Sequence, residues 1–147
     1  MPRITAVLTL GLFLCGMALA DDCHPPLKEG WQQYIVGYGS LMEAKSKQMT
    51  EPNAGESRPV QVTGFRREWN LHGTFPTTFL GVREDASAQM VAALYRAELI
   101  DGKIGADARE FSYCRAPVDP GSVSTLDGSE LPNPSPIWIY VTMPDLL

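Results

Sequence analysis

The stretch of sequence that decides the fold reads Tyr34-Ile35-Val36-Gly37-Tyr38-Gly39-Ser40-Leu41. Its β-branched and aromatic residues predict a strand over residues 34–38, which Gly39 ends. The good helix formers at residues 41–49 predict a short helix directly after it. Glycine lets the backbone approach a ligand, and N–H groups at such a turn attract a carboxylate or an oxyanion. The same residues also fit an ordinary strand-to-helix turn.

Short predicted strands and turns follow along the rest of the chain. We expect strands at residues 60–63, 65–71, 77–82, 90–97, 113–118 and 137–141, with a loop at 50–59 and a turn at 73–76. Residues 90–97 are nearly continuous in apolar side chains, which fits a strand buried on both faces or curving within a barrel. Many short strands with few helices are typical of an α+β fold, or of a small barrel with helices attached.

A second helix is predicted between the last strands. Ile104, Ala108 and Phe111 lie at i, i+4 and i+7, which predicts an amphipathic helix over residues 99–111. Residues 119–136 are rich in Gly, Ser and Pro, and we expect them to be irregular.

Composition limits the classes of protein that the chain can belong to. It has 147 residues, of which 44% are hydrophobic and 20% charged. This length and apolar fraction predict one folded domain rather than a disordered chain. The net charge of −5 argues against a nucleic-acid-binding surface. With 13 glycines and 12 prolines, turns should be frequent, and a helical bundle is not expected.

The first twenty residues have the pattern of a signal peptide. Arg3 supplies a positive charge, residues 6–20 carry none, and Ala18-Leu19-Ala20 is a small-x-small cleavage site. The alternative is a retained N-terminal anchor. We expect residues 1–20 to be cleaved, which predicts a secreted or periplasmic protein. After cleavage we expect no association with a membrane. Residues 21–32 should then form an extended leader, because Pro25 and Pro26 prevent regular structure.

Cysteine and histidine residues are few. Cys23 and Cys114 remain after cleavage and could pair in an oxidising compartment. The alternative is a buried free Cys114 with a mobile Cys23, and a thiol-dependent hydrolase that pairs Cys114 with His72 also stays open. Neither His24 nor His72 has metal-ligand spacing to suitable partners, so we predict no metal site.

One acidic residue near the end of the second predicted helix is a candidate acid or base. On local evidence the charges of Asp107, Arg109 and Glu110 are solvated at a helix terminus. Glu110 differs from the other two because it lies beside Phe111 and Tyr113. Partial burial there would raise the pKa of Glu110 toward the range that a general acid or base needs.

Taken in order, these motifs resemble a known family. The motifs are Tyr38-Gly39-Ser40-Leu41, Val60-x-Val62-x-Gly64-Phe65-Arg66-Arg67-x-Trp69, Ala92-Ala93-Leu94-Tyr95 and Asp107-x-Arg109-Glu110-x-x-Tyr113-x-Arg115-x-x-Val118. Together they resemble the γ-glutamylcyclotransferase-like family over residues 34–118, and residues 137–141 look like the next strand of its barrel. The resemblance implies a small mixed β-barrel of about six or seven strands with about two flanking helices.

The resemblance also implies a reaction and a site. In the family, the α-amine of a γ-glutamyl group attacks its own γ-carbonyl and releases 5-oxoproline and an amine or amino acid. Such a small-molecule substrate carries its own nucleophile, so no metal and no cofactor is expected. Glu110 matches the family's catalytic glutamate, and the backbone of Tyr38, Gly39, Ser40 and Leu41 would hold the substrate carboxylate or the developing oxyanion. Tyr113 would form a wall of the cavity.

The sequence also departs from the family pattern. Ala92 and Ala106 stand where the family usually has Gly and Leu, and the chain stops at Leu147, just after the strand at 137–141. The family usually continues with a further segment, so we expect a domain over residues 33–147 that lacks it. This favours an alternative function, in which a non-catalytic domain of the same fold binds a small carboxylate ligand or a protein. The sequence leaves the oligomeric state open.

Overall fold

The computed structural model of the protein describes residues 23–72, 76–132 and 135–146. The predicted signal peptide lies outside these residues, as does most of the turn predicted at 73–76. The described strands are β1 (Gln33–Gly37), β2 (Arg58–His72), β3 (Thr78–Ala97), β4 (Tyr113–Val118), β5 (Val123–Thr125) and β6 (Ile137–Thr142). The α-helices are α1 (Ala44–Gln48) and α2 (Ala106–Arg109). The α+β class predicted from the sequence is confirmed.

The six strands form one mixed sheet with the order β4-β6-β1-β3-β2-β5. β1 pairs antiparallel with β3 and parallel with β6. In a flat sheet of six strands, the two edges would be about 24 Å apart. Val118 at the end of β4 and Val123 at the start of β5 are five residues apart, a distance that spans at most about 18 Å. The sheet must therefore curl toward a barrel.

Two pairs of predicted strands are single long strands in the structure. The strands predicted at 60–63 and 65–71 are both part of β2, and those predicted at 77–82 and 90–97 are both part of β3. A register shift between Thr63 and Phe65 marks a bulge, and Gly64 adopts a φ of +89° there. The ladder between β2 and β3 resumes beyond the bulge, so the glycine bends the strand without ending it.

The helix predicted over residues 99–111 is wrong in length and in its apolar face. Only α2 is helical, because Gly102 adopts a φ of +84° and Gly105 precedes α2 in extended backbone. The three residues of the predicted apolar face, Ile104, Ala108 and Phe111, are all exposed. The helix predicted at 41–49 is also shorter than expected, since a 3₁₀ turn at Gly39–Met42 precedes α1.

The later strands agree with the prediction, with one addition. β4 and β6 lie where strands were predicted and pair antiparallel. Residues 119–136 are largely irregular where described, but they include β5, whose three residues pair with β2. So short a strand in a Gly- and Pro-rich stretch lacks a pattern of its own and exists because β2 offers it an edge.

Two hydrophobic clusters use opposite faces of the same strands. Val36, Leu94 and Ile139 belong to one cluster, and their chain neighbours Ile35, Tyr95 and Tyr140 belong to the other. β1, β6 and residues 92–95 of β3 are therefore buried on both faces, which is one of the two arrangements that the apolar run at 90–97 fitted. The second cluster also contains Leu41, Ile100 and Ala106, so the segments around the 3₁₀ turn and α2 cover the outer face of the sheet.

A disulfide joins the start of the described chain to the sheet. Cys23 and Cys114 are bonded, and the amide of Arg115 donates a hydrogen bond to the Cys23 carbonyl oxygen at 2.8 Å. The pairing of the two cysteines is thereby confirmed, and the alternative of a free Cys114, together with the hydrolase that would use its thiol, is wrong. Among the described residues, no helix is long and apolar enough to cross a membrane.

Candidate active site

The turn that follows β1, residues 38–41, carries four of the six predicted site residues and is called the β1 turn. Gly39 adopts a φ of +56°, a left-handed conformation that glycine tolerates readily. A Cβ on Gly37 would lie 2.9 Å from the Cβ of Leu41, so the turn packs back against the strand only because Gly37 lacks a side chain. Leu41 is buried and donates its amide to the Tyr38 carbonyl oxygen at 3.1 Å, while Gly39 and Ser40 are exposed.

Two tyrosines form a wall beside this turn. The buried Tyr38 hydroxyl donates to the Tyr140 carbonyl oxygen at 2.6 Å, and the Tyr113 hydroxyl donates to the Leu80 carbonyl oxygen at 2.8 Å. The Tyr38 and Tyr113 rings meet edge to face, with their centroids 6.5 Å apart. Burial and the nearby Glu110 raise the pKa of Tyr113 to about 12. Burial also raises the pKa of Tyr38. Both hydroxyls therefore stay protonated, and their hydrogen bonds fix the rings.

Glu110 lies directly after α2, at the position where the helix ends. Its amide donates to the Ala106 carbonyl oxygen at 2.9 Å, which ties the residue to the helical turn. Its side chain is only 14% exposed. Burial raises the pKa of Glu110, and the Arg109 guanidinium partly opposes this shift. The site thus holds a carboxylate that is a stronger base than an ordinary surface glutamate.

Arg109 connects Glu110 to the turn and to α1. Its Nε lies 3.1 Å from Glu110 Oε1, and its Nη2 donates to Ser40 Oγ at 3.1 Å and to Ser46 Oγ at 2.9 Å. Its Nη1 donates to the Ser46 carbonyl oxygen at 2.6 Å and to Thr50 Oγ1 at 3.1 Å. The prediction of a solvated Arg109 is therefore wrong. No local signal in the sequence shows these contacts, since Ser40 lies 69 residues away.

Asp107 is also part of a packed network rather than a solvated charge. Its Oδ1 accepts a hydrogen bond from the Tyr140 hydroxyl at 2.7 Å and lies 3.3 Å from Arg115 Nε. Arg115 is 3% exposed, and it donates from Nη2 to the Pro25 carbonyl oxygen at 2.6 Å. The turn that carries Glu110 is therefore anchored to β4, to β6 and to the leader.

A cavity of about 290 Å³ brings the predicted residues together. Its lining includes all six of them: Tyr38, Gly39, Ser40, Leu41, Glu110 and Tyr113. It also includes Trp69, Phe79 and Leu80, which the sequence analysis did not assign to a site. The volume is at the lower end of the usual range of small-ligand pockets, about 300–1,000 Å³. Among the described residues, no group of three His, Cys, Asp or Glu side chains could hold a metal ion.

Comparison with known proteins identifies the fold. The curled six-stranded sheet, with its site between the β1 turn and α2, is a γ-glutamylcyclotransferase-like fold, as the motifs predicted. A solved γ-glutamyl cyclotransferase is similar with a TM-score of 0.57 at 13% identity, over 76% of this chain and 67% of that one. An Arabidopsis thaliana protein is similar with a TM-score of 0.57 at 16% identity, over 82% of this chain and 77% of that one.

An uncharacterised Homo sapiens protein is a further structural neighbour. Its TM-score is 0.56 at 13% identity, over 76% of this chain and 67% of that one. No protein-family model matches the sequence, and no curated protein sequence matches it. At these identities the similarity defines the fold alone.

Proposed function

We propose that the protein is a γ-glutamylcyclotransferase-like enzyme that releases 5-oxoproline and an amine or amino acid from a γ-glutamyl compound. One observation carries the proposal. Glu110, a buried carboxylate with a raised pKa, lines the same small cavity as the exposed Gly39 and Ser40 of the β1 turn. A base and a set of backbone donors that line one cavity are the groups that acyl transfer requires.

Glu110 acts as the proton carrier in this scheme. The substrate α-amine attacks its γ-carbonyl carbon, a C–N bond forms, and the amine proton passes to the Glu110 carboxylate. Glu110 then gives the proton to the leaving nitrogen, the original amide C–N bond breaks, and both products depart. A carboxyl group with a raised pKa suits both steps, because it is basic enough to accept the proton and acidic enough to return it.

The β1 turn stabilises negative charge on the substrate. The Leu41 amide already donates within the turn, so we assign the contact with the substrate to the amides of Gly39 and Ser40. They bind either the substrate carboxylate or the oxyanion of the tetrahedral intermediate. Holding the substrate folded, with its amine against its own carbonyl, supplies much of the rate enhancement.

We also propose that the protein is exported. Two features support this: the signal-peptide pattern of residues 1–20 and the disulfide between Cys23 and Cys114, a bond that persists mainly in oxidising compartments. N-terminal sequencing of the protein purified from its native host tests the proposal. A mature chain that begins after Ala20 is expected, and a chain that begins at Met1 in a reducing compartment would refute it.

The enzymatic proposal is tested by measuring 5-oxoproline release from a panel of γ-glutamyl amides and peptides. We expect release by the wild type and none by Glu110→Gln, with the same circular dichroism spectrum. Glu84→Gln is the matched control, since Glu84 is exposed on β3 and does not line the cavity. Equal turnover by Glu110→Gln would exclude its role. A folded but inactive wild type whose melting temperature rises with glutarate would favour the alternative, a binding domain.

A further inference from the structure

A second cavity adjoins the candidate active site. It has a volume of about 180 Å³ and shares Phe79 and Tyr113 with the first cavity. Its other lining residues are Leu71, Arg109, Phe111 and Ser112. A group bound against Glu110 therefore has a largely apolar space next to it.

Exposed aromatic rings surround these two cavities. Trp69 and Phe79 line the first and are 71% and 47% exposed, and Phe111 lines the second and is 75% exposed. Large apolar side chains that cluster at a cavity, rather than scattering over the surface, mark a binding surface for an apolar partner. Two such rings in the cavity of Glu110 and a third in the adjoining cavity indicate that part of the ligand is itself apolar.

The charges in the second cavity argue against an anionic group there. Arg109 is its only charged lining residue within the described chain. A guanidinium has five N–H donors, and those of Arg109 already face Glu110, Ser40, Thr50 and two oxygens of Ser46. A carboxylate in this cavity would find no unengaged cation and would lie near the negative charge of Glu110.

We propose that the second cavity is the leaving-group subsite and that it takes the uncharged, ring-bearing side of a γ-glutamyl amide. This inference rests on the proposed function, because it identifies which amine that reaction releases. The preferred substrates are γ-glutamyl amides of amines that carry an aromatic ring, such as 2-phenylethylamine, and the products are 5-oxoproline and the free amine. γ-Glutamyl amino acids are poorer substrates because their leaving group carries a carboxylate.

Binding of unreactive analogues tests the subsite without depending on turnover. Monoamides of glutaric acid lack the α-amine and cannot cyclise, so their dissociation constants can be measured by calorimetry on the purified protein. We compare the 2-phenylethylamide with the methylamide and with N-glutarylphenylalanine, in which glutaric acid is joined to the phenylalanine nitrogen. Burying the ring should make the 2-phenylethylamide bind at least about tenfold more tightly than the methylamide. N-glutarylphenylalanine differs from the 2-phenylethylamide only by an added carboxylate. It should bind more weakly, because this carboxylate finds no unengaged cation among the described residues of the cavity.

Variants locate the effect in the cavity. Phe79→Ala and Phe111→Ala should each reduce the preference for the 2-phenylethylamide over the methylamide by several fold. Leu126→Ala is the matched control, because Leu126 is 51% exposed and lines neither cavity, and it should leave the preference unchanged. Equal affinities for the three analogues, or a preference that survives both phenylalanine variants, would overturn the subsite.

Turnover separates this failure from failure of the proposed function. If 5-oxoproline is released at similar efficiency from the γ-glutamyl derivatives of 2-phenylethylamine, methylamine and phenylalanine, the enzyme proposal stands and the subsite is wrong. If no γ-glutamyl compound is turned over but the ring-bearing analogue still binds preferentially, the subsite stands as a ligand site and the cyclotransferase reaction is wrong.

Discussion

Replacing Arg109 with methionine should both destabilise the protein and shift the pH dependence of its activity. Methionine keeps much of the length of the side chain and removes its charge and all of its donors. The substitution leaves the side chain of Glu110 without its ion-pair partner, at an exposure of only 14%. It also leaves Ser40, Ser46 and Thr50 without the bonds that join the β1 turn and the α1 segment to α2.

The size of the effect follows from the burial of this ion pair. Removing one partner of a buried pair costs about 3–5 kcal/mol, because the remaining charge stays desolvated. The side chains of Arg109 and Glu110 keep 17% and 14% exposure, so water screens part of this loss, and we expect about 2–4 kcal/mol. Arg109→Lys should cost less, because it keeps the charge, although a lysine cannot reproduce the planar set of five donors.

The assays are urea unfolding and a pH profile of 5-oxoproline release. Since Arg109 opposes the rise in the pKa of Glu110, its removal should move the acidic limb of the profile to higher pH. Arg109→Lys should keep the limb near its wild-type position, and this comparison separates an electrostatic role from simple loss of packing. A loss below about 0.5 kcal/mol in Arg109→Met, typical of a solvated surface charge, would refute the reasoning. An unchanged acidic limb would refute the electrostatic part.

Three further predictions address the disulfide, the β1 turn and the buried carboxylate. Reduction of the bond between Cys23 and Cys114, which are 91 residues apart, should lower the free energy of unfolding by about 2–5 kcal/mol; the double Cys→Ser variant should match the reduced protein and not respond to reductant. Gly37→Ala should cost about 1–3 kcal/mol, because its Cβ would lie 2.9 Å from the Leu41 Cβ; full stability in thermal melts would show that the turn is free to move. Burial raises the pKa of Glu110 in the folded protein above its pKa in the unfolded chain. The contribution of Glu110 to the free energy of unfolding is therefore fully present below the pKa of the unfolded chain, and it is lost as the pH rises through the pKa of the folded protein. Urea midpoints measured across this window should fall with pH in the wild type and less in Glu110→Gln, and parallel slopes would contradict the shift.

Local sequence patterns predicted most of the strands, because a strand needs only β-branched and aromatic residues with the right neighbours. Those patterns failed at glycines, because a glycine can end a strand, bend it or interrupt a helix. Gly64 was expected to separate two strands, yet β2 continues through it as a bulge. Gly102 and Gly105 interrupt the helical pattern of residues 99–111, so Ile104 and Phe111 are exposed rather than packed. Whether a glycine bends a strand or ends a helix depends on the partner strand or on the packing around it.

The sequence by itself determined the strand and turn at residues 34–41 and the motifs whose resemblance to a known family predicted the fold and the six candidate site residues. The strand and turn follow from residue types within one short segment, whereas the fold and the site residues are what the resemblance implies. Only the tertiary structure decided that Glu110 is buried, that Arg109 joins it to a turn 69 residues away, and that Phe79 and Phe111 lie around one cavity. Burial and charge pairing depend on which distant segments meet. The curled sheet brings the β1 turn, β3 and the α2 segment together at one place, and no local pattern records that contact.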